Sequence, residues 1–141
     1  MEFRQIENNS SAVAELLEQN NLSRSGLTDN NVFLFALFKG DEILGAGALT
    51  VIDTFSMLRS VCINKKSQKN RLGSDLCGHL YEKAQALGLK DIYLLTDTAE
   101  GFFEKQKFET IIRKELPIIL EQNVLVQNAC STNSTVMHRK L

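Results

Sequence analysis

Apolar residues recur along this chain with two different periods, separated by short polar breaks. A first strand, FRQIE (residues 3–7), leads to a helix beginning near Ser10 or Ser11, where Val13, Leu16 and Leu17 fall at helical spacing. Residues 20–31 are polar and glycine-containing, which predicts a loop with room for one helical turn around Leu22 to Leu27. The stretch NVFLFALFKGDEILGAGALTVID (31–53) reads as a hairpin that turns at Lys39-Gly40-Asp41-Glu42, and SMLRSVCI (56–63) reads as the third strand of that meander. Beyond a polar turn, Leu72, Leu76, Leu80, Ala84 and Leu87 recur every three or four residues, the mark of an amphipathic helix, with Gly88 as its C-terminal cap. DIYLLT (91–96) is a strand, AEGFFEKQ (99–106) a short helix and FETIIRKEL (108–116) a strand. A helical turn after Pro117 and a final strand, STVMHRK (134–140), complete the order β-α-β-β-β-α-β-α-β-β.

This order predicts an α/β (α+β) fold: a mixed, mostly antiparallel sheet flanked by helices. SMLRSVCI and DIYLLT are separated by a full helix, so they should run parallel through a right-handed crossover. The turn between them then lies where a parallel strand ends and a helix begins, which is where open α/β sheets bind ligands.

Composition narrows the function classes. The chain has 141 residues, 43% hydrophobic and 23% charged, with a formal net charge of −1, as expected for one domain spanning 1–141. Near-neutral charge argues against a nucleic-acid binder. No apolar run approaches membrane-spanning length, so no membrane partner is expected. The first residues, MEFRQIENNSS, lack a basic-then-apolar pattern, and the three cysteines (Cys62, Cys77, Cys130) lack metal-ligand spacing. The expectation is a cytoplasmic protein with reduced, buried thiols and no metal.

One segment departs from this even background. In KKSQKNRLGSDL (65–76), the cations Lys65, Lys66, Lys69 and Arg71 crowd around the start of the long helix. The amides of Gln68, Lys69, Asn70, Arg71, Leu72, Gly73 and Ser74 could form a helix N-terminal anion cradle, and Gly73 would let a bulky ligand such as a pyrophosphate approach. A solvated basic loop is the alternative. Neither the P-loop nor the dinucleotide-binding glycine pattern is present.

A strand, a Q/R-x-x-G-x-G/A-like turn opening a long helix, then a strand and a short helix ending in a Y-x-x-x-G-F-like segment resemble the GNAT superfamily of acetyl-CoA-dependent N-acetyltransferases. MLRSVCI, YLLTDTAEGFFEKQKF, and Pro117 followed by Cys130 and Met137 resemble its arsenic-resistance-type branch. The resemblance implies a splayed parallel strand pair and acetyl-CoA as cosubstrate. It implies that the amides of 68–74 hold the pyrophosphate and that Val61, Cys62 and Ile63 pair with the pantetheine arm. It also brings Thr96, Phe102 and Phe103 to the cofactor. The sequence departs from the pattern in having Arg71 for the middle glycine, Phe103 for a frequent tyrosine acid, Thr96 for a common asparagine and Lys107 for a usual glycine. Arg71 is strained if its position needs φ > 0, and otherwise adds a phosphate contact.

The implied reaction is attack of a small-molecule amine on the thioester, with an N–H near Val61 or Cys62 receiving the oxyanion. A thiolate of pKa about 8.5 leaves tolerably without an acid. No catalytic residue is assigned. Asp97 is either a helix N-cap or a group at the substrate, with Glu100 or ordered water as other bases. Arg59, a cation in an apolar strand, either pairs with Asp53 or Glu42 or clamps an anionic group of the acceptor. His79 and His138 read as surface or interface residues. Assembly as a homodimer stays open, as does a second reading: a catalytically weak or inactive GNAT-fold module that holds acetyl-CoA or a protein partner.

Overall fold

A computed structural model describes residues 1–24, 26–68, 71–122 and 134–141. The elements run β1 (Glu2–Ile6), α1 (Ser11–Gln19), β2 (Val32–Lys39), β3 (Glu42–Ile52), β4 (Phe55–Ile63), α2 (Leu72–Ala86), β5 (Asp91–Thr96), α3 (Glu100–Lys105), β6 (Glu109–Ile111), α4 (Ile118–Glu121) and β7 (Thr135–Lys140). They form one seven-stranded sheet in the order β1-β2-β3-β4-β5-β7-β6. All neighbours are antiparallel except β4 and β5. The expected fold class is therefore the one found.

The continuous apolar run of β2 is explained by burial on both faces. Phe35 and Leu37 join Leu49, Leu58, Ile92, Leu94 and Met137 beneath α2 and α3, while Leu34 and Ala36 join Ala46, Ala48 and Cys62 beneath α1. A third cluster, built on Met57, Tyr93 and Val136, is covered by Leu116 and Leu120. Small residues on β3 let helices approach: a Cβ on Gly47 would lie 2.6 Å from Leu80 Cδ1.

Local signals account for the helix ends. Ser10 caps α1, its hydroxyl accepting from the Val13 amide at 3.3 Å. α2 ends in a Schellman motif, with Gly88 at φ 80° and the Leu89 amide donating to the Ala84 carbonyl at 3.1 Å. The predicted strand 108–116 is shorter than expected. β6 keeps only Glu109–Ile111, and Arg113–Glu115 form a 3-10 turn. Among the described residues its one partner is β7, which begins at Thr135, and Ile111 is already opposite Val136, so no described ladder remains for residues beyond 112.

Candidate functional site

The strand β4 bends because it carries one residue more than its partner. β3 and β4 stay in register from Ile52↔Phe55 to Ala48↔Arg59, then resume one residue out of step at Ala46↔Cys62 and Gly45↔Ile63. Ser60 and Val61 thus share Gly47 as their opposite, and Ser60 takes φ 58°, a left-handed conformation that glycine more often supplies in such bulges. The glycines of ILGAGAL make room for this bend. A Cβ on Gly45 would stand 2.8 Å from the Cys62 carbonyl oxygen and 2.6 Å from Ile63 Cδ1.

The bend opens the sheet. β4 and β5 pair only from Phe55↔Asp91 to Met57↔Tyr93, whereas β5 remains paired with β7 as far as Thr96↔Thr135. Ser56, fully buried, pins the closed end by donating to the Asp91 carbonyl at 2.9 Å. Past Met57 the β5-facing edge of β4, residues 58–63, has no strand partner among the described residues. That is about 20 Å of edge at 3.3 Å per residue, with alternate amides facing the gap. Val61, Cys62 and Ile63 all lie on it.

At the far end of this edge stands the cationic turn. A 3-10 turn, Lys65–Ser67, follows β4, and the Gln68 side chain donates back to the Ile63 carbonyl at 3.2 Å. Lys69 and Asn70 lie outside the described residues. Arg71 precedes α2 with φ 58° and provides no side-chain cap. Its position is therefore the left-handed one that a glycine would occupy without strain. The amides of Leu72 to Ser74 belong to the first turn of α2, where a helix leaves its N–H groups without an intrahelical acceptor. Gly73 packs under Phe102, whose Cζ would be 3.5 Å from a Cβ there. The Ser74 hydroxyl accepts from Gln106 Nε2 at 3.2 Å.

Several assignments change at this level. Asp97 is not the cap of α3: that helix begins at Glu100 after Ala99, the Thr96 hydroxyl accepts from the Ala99 amide at 2.9 Å, and Asp97 accepts from the Ser134 hydroxyl at 2.6 Å. Arg59 is out of reach of Asp53 and Glu42, because its partner Ala48 lies five and six residues from them along β3, roughly 17–20 Å. Instead its Nε donates to Ser60 Oγ at 3.0 Å and its Nη2 to the Ser23 carbonyl at 3.4 Å. Burial lowers the Arg59 pKa from its ordinary value, and the charge of Asp29 opposes that shift.

The remaining candidates fall into place around the gap or away from it. Phe103 is buried, edge-on to Phe102 at 5.0 Å and Phe108 at 5.6 Å, so it brings no hydroxyl where a tyrosine is frequent. Lys107 occupies φ 70° in a second Schellman motif, which closes α3 through the Phe108 amide on the Phe103 carbonyl at 3.0 Å; this explains why glycine is usual there. Burial pushes the Cys62 thiol up to about 12, so it is no nucleophile near neutral pH. His79 stacks on Phe3 at 4.8 Å, and His138 pairs with Asp91 at 2.7 Å; both stand apart from the split. Cys130 lies outside the described residues. No group of three or more metal-ligating side chains occurs among the described residues, and no helix there is long and apolar enough to cross a membrane.

A sheet that closes at one end of a parallel pair and opens at the other, beside an uncapped helix start, is the architecture of an acyltransferase fold, and solved structures share it. N-acetylglutamate synthase from Neisseria gonorrhoeae, complexed with coenzyme A and N-acetyl-glutamate, matches over 100% of this chain and 35% of its own, with TM-score 0.78 and 19% identity. An acetyltransferase from Streptococcus agalactiae matches 99% of this chain and 98% of its own, with TM-score 0.77 and 20% identity. Tetrahymena GCN5 gives 99%, 96%, TM-score 0.78 and 14% identity. The chain thus spans about a third of the synthase's length. No curated protein matches. The model of the Acetyltransferase (GNAT) family matches residues 2–108, and the chain belongs to that family, which uses acetyl-CoA as its cosubstrate.

Proposed function

We propose that this protein transfers an acetyl group from acetyl-CoA to the amine of a small molecule by direct attack on the thioester. The observation that carries this reading is the unpaired edge of β4 leading straight to the amides and cations at the start of α2. An extended, amide-bearing arm can add to such an edge as a strand would. Val61, Cys62 and Ile63 would then pair with the pantetheine arm. Gln68, Lys69, Asn70, Arg71, Leu72, Gly73 and Ser74 would surround the pyrophosphate, with Thr96, Phe102 and Phe103 along the arm.

Attack by a neutral amine moves charge onto the thioester oxygen, where an amide of Val61 or Cys62 would receive it. The buried Phe103 offers no acid, and a coenzyme thiolate leaves without one near neutral pH. Arg59 would orient an anionic acceptor, with Asp97 across the gap. Arg59 already lies close to Ser23 and Asp29 of the loop before β2, which favours an acceptor entering on the α1 face. The sequence likeness to the arsenic-resistance-type branch, and a cytoplasmic setting, complete the reading.

The missing phenol and the left-handed Arg71 favour the second reading, a weak or inactive binding module. Thermal melting with acetyl-CoA, followed by coenzyme release over a panel of amines, separates the two. A hundredfold excess over Kd should stabilise the fold by about 2.7 kcal/mol. No melting shift at millimolar acetyl-CoA would sink the acetyltransferase reading, and a shift without turnover on any amine would favour the module.

A further inference from the structure

Away from the split, the outer flank of α2 and the end of α3 form a second depression of about 360 Å³, walled by Tyr81, Glu82, Lys105, Gln106, Lys107 and Arg139. Three cations face one carboxylate there, in a chain whose net charge is −1. Among the described residues, the Tyr81 hydroxyl is buried with no hydrogen-bond partner, although the residue is only 6% exposed. The Cys77 thiol and the Arg139 guanidinium act on its ionisation without satisfying it by distance and angle. That hydroxyl is closed off from solvent, and it is the Arg139 guanidinium above the Tyr81 ring that lines the depression.

Arg139 is already held in place. Its Cζ lies 4.4 Å from the Tyr81 ring centroid, and Nη1 donates to the Gln106 carbonyl at 3.1 Å, which leaves other guanidinium N–H groups to bind. Lys107 adds a further cation to the same wall. At φ 70°, in the turn that closes α3, it sets a second lysine beside Lys105 on the rim of the depression. The two helices that shape the depression belong to the family fold, and of its walls Gln106 also reaches the start of α2, donating to the Ser74 hydroxyl at 3.2 Å.

We propose that this flank is a second binding site, for the phosphate group of a small molecule, gripped by Lys105, Lys107 and Arg139, whose guanidinium lies over the Tyr81 ring. The depression is larger than a phosphate and leaves room for the rest of the ligand. It stands independently of acetyl transfer.

The chain has no tryptophan and only two tyrosines, so in a Tyr93→Phe background Tyr81 is the sole strong intrinsic fluorophore. Titration with inorganic phosphate at ionic strength held by sodium chloride should give a saturable change in its emission, and phosphorus NMR line broadening should report the same affinity on the unmodified chain. Lys105→Gln with Lys107→Gly should weaken that affinity at least tenfold; the glycine removes charge while relieving the strained backbone. No saturable response in either measurement, or one unchanged in the double variant, overturns the proposal. So does displacement of phosphate by acetyl-CoA but not by acetyl-dephospho-CoA, which would assign the cations to the coenzyme's own 3′-phosphate.

Discussion

The two edges of β4 behave as if they belonged to different proteins. Toward β3 the strand is paired along nearly its whole length, interrupted by a single bulge; toward β5 it is paired for three residues and then open. The closed edge is held by small residues that let helix and strand pack tightly, whereas the open edge exposes backbone that folding alone does not satisfy. One strand can therefore serve as core on one side and as a recognition surface on the other. What divides the roles is a single extra residue at Ser60 and Val61.

The largest effect should come from closing the space that permits the bend. Gly45→Val would press on the Cys62 carbonyl, a backbone atom that cannot step aside as a side-chain tip can. We expect a loss of about 1–3 kcal/mol in chemical denaturation, with acetyl-CoA binding impaired as β4 moves. Unchanged stability would mean that the bulge does not depend on that glycine.

At the closed end of the parallel pair, Ser56→Ala removes the bond to Asp91 and should cost about 1 kcal/mol. Because it lies below the split, acetyl-CoA affinity should hold. A binding loss larger than the stability loss would show that the closed end sets the width of the gap.

Arg71 tests the open edge where it meets α2. Arg71→Gly should stabilise the fold by about 1 kcal/mol by relieving the left-handed residue, and Arg71→Ala should bring no such relief. Both should bind acetyl-CoA less tightly and with less salt dependence if the guanidinium contributes charge. Tighter binding by the glycine variant would identify Arg71 as an obstruction instead.

The smallest effect concerns the two buried thiols, Cys62 of β4 and Cys77 of α2. Burial raises Cys62 to about 12 and Cys77 to about 11, so both should resist alkylation at pH 8 in the folded chain, as mapped by mass spectrometry. The unfolded chain loses these protons at lower pH than the folded one. Their contribution to stability is therefore complete below the ordinary thiol range and declines as pH rises from about 9 toward the raised values. Rapid labelling at pH 8 would reveal local opening, of the sheet at Cys62 or of the α2 packing at Cys77.

Much of the frame was legible in the chain because it rests on local rules. Val13, Leu16 and Leu17 marked the buried face of α1, Ser10 its cap, and Gly88 the end of α2. The β-branched residues from Thr110 to Ile112 overstated β6, since strand length is set by a partner distant in sequence. The same limit hid Asp29 and Ser23 from any reading of Arg59, and Ser134 from any reading of Asp97. The glycines of ILGAGAL were the one signal that could have announced the bulge.

By itself, then, the sequence determined the periods, the caps, the crossover that makes β4 and β5 parallel, and the cationic turn after β4, all of which depend on residues near one another along the chain. Only the tertiary structure decided where the pair stops, that Arg71 and Lys107 take left-handed backbones, and that Tyr81 is buried beside three cations from other elements. These depend on register and on packing between distant segments. A one-residue offset between strands leaves no trace in local composition, yet it redirects every backbone group that follows.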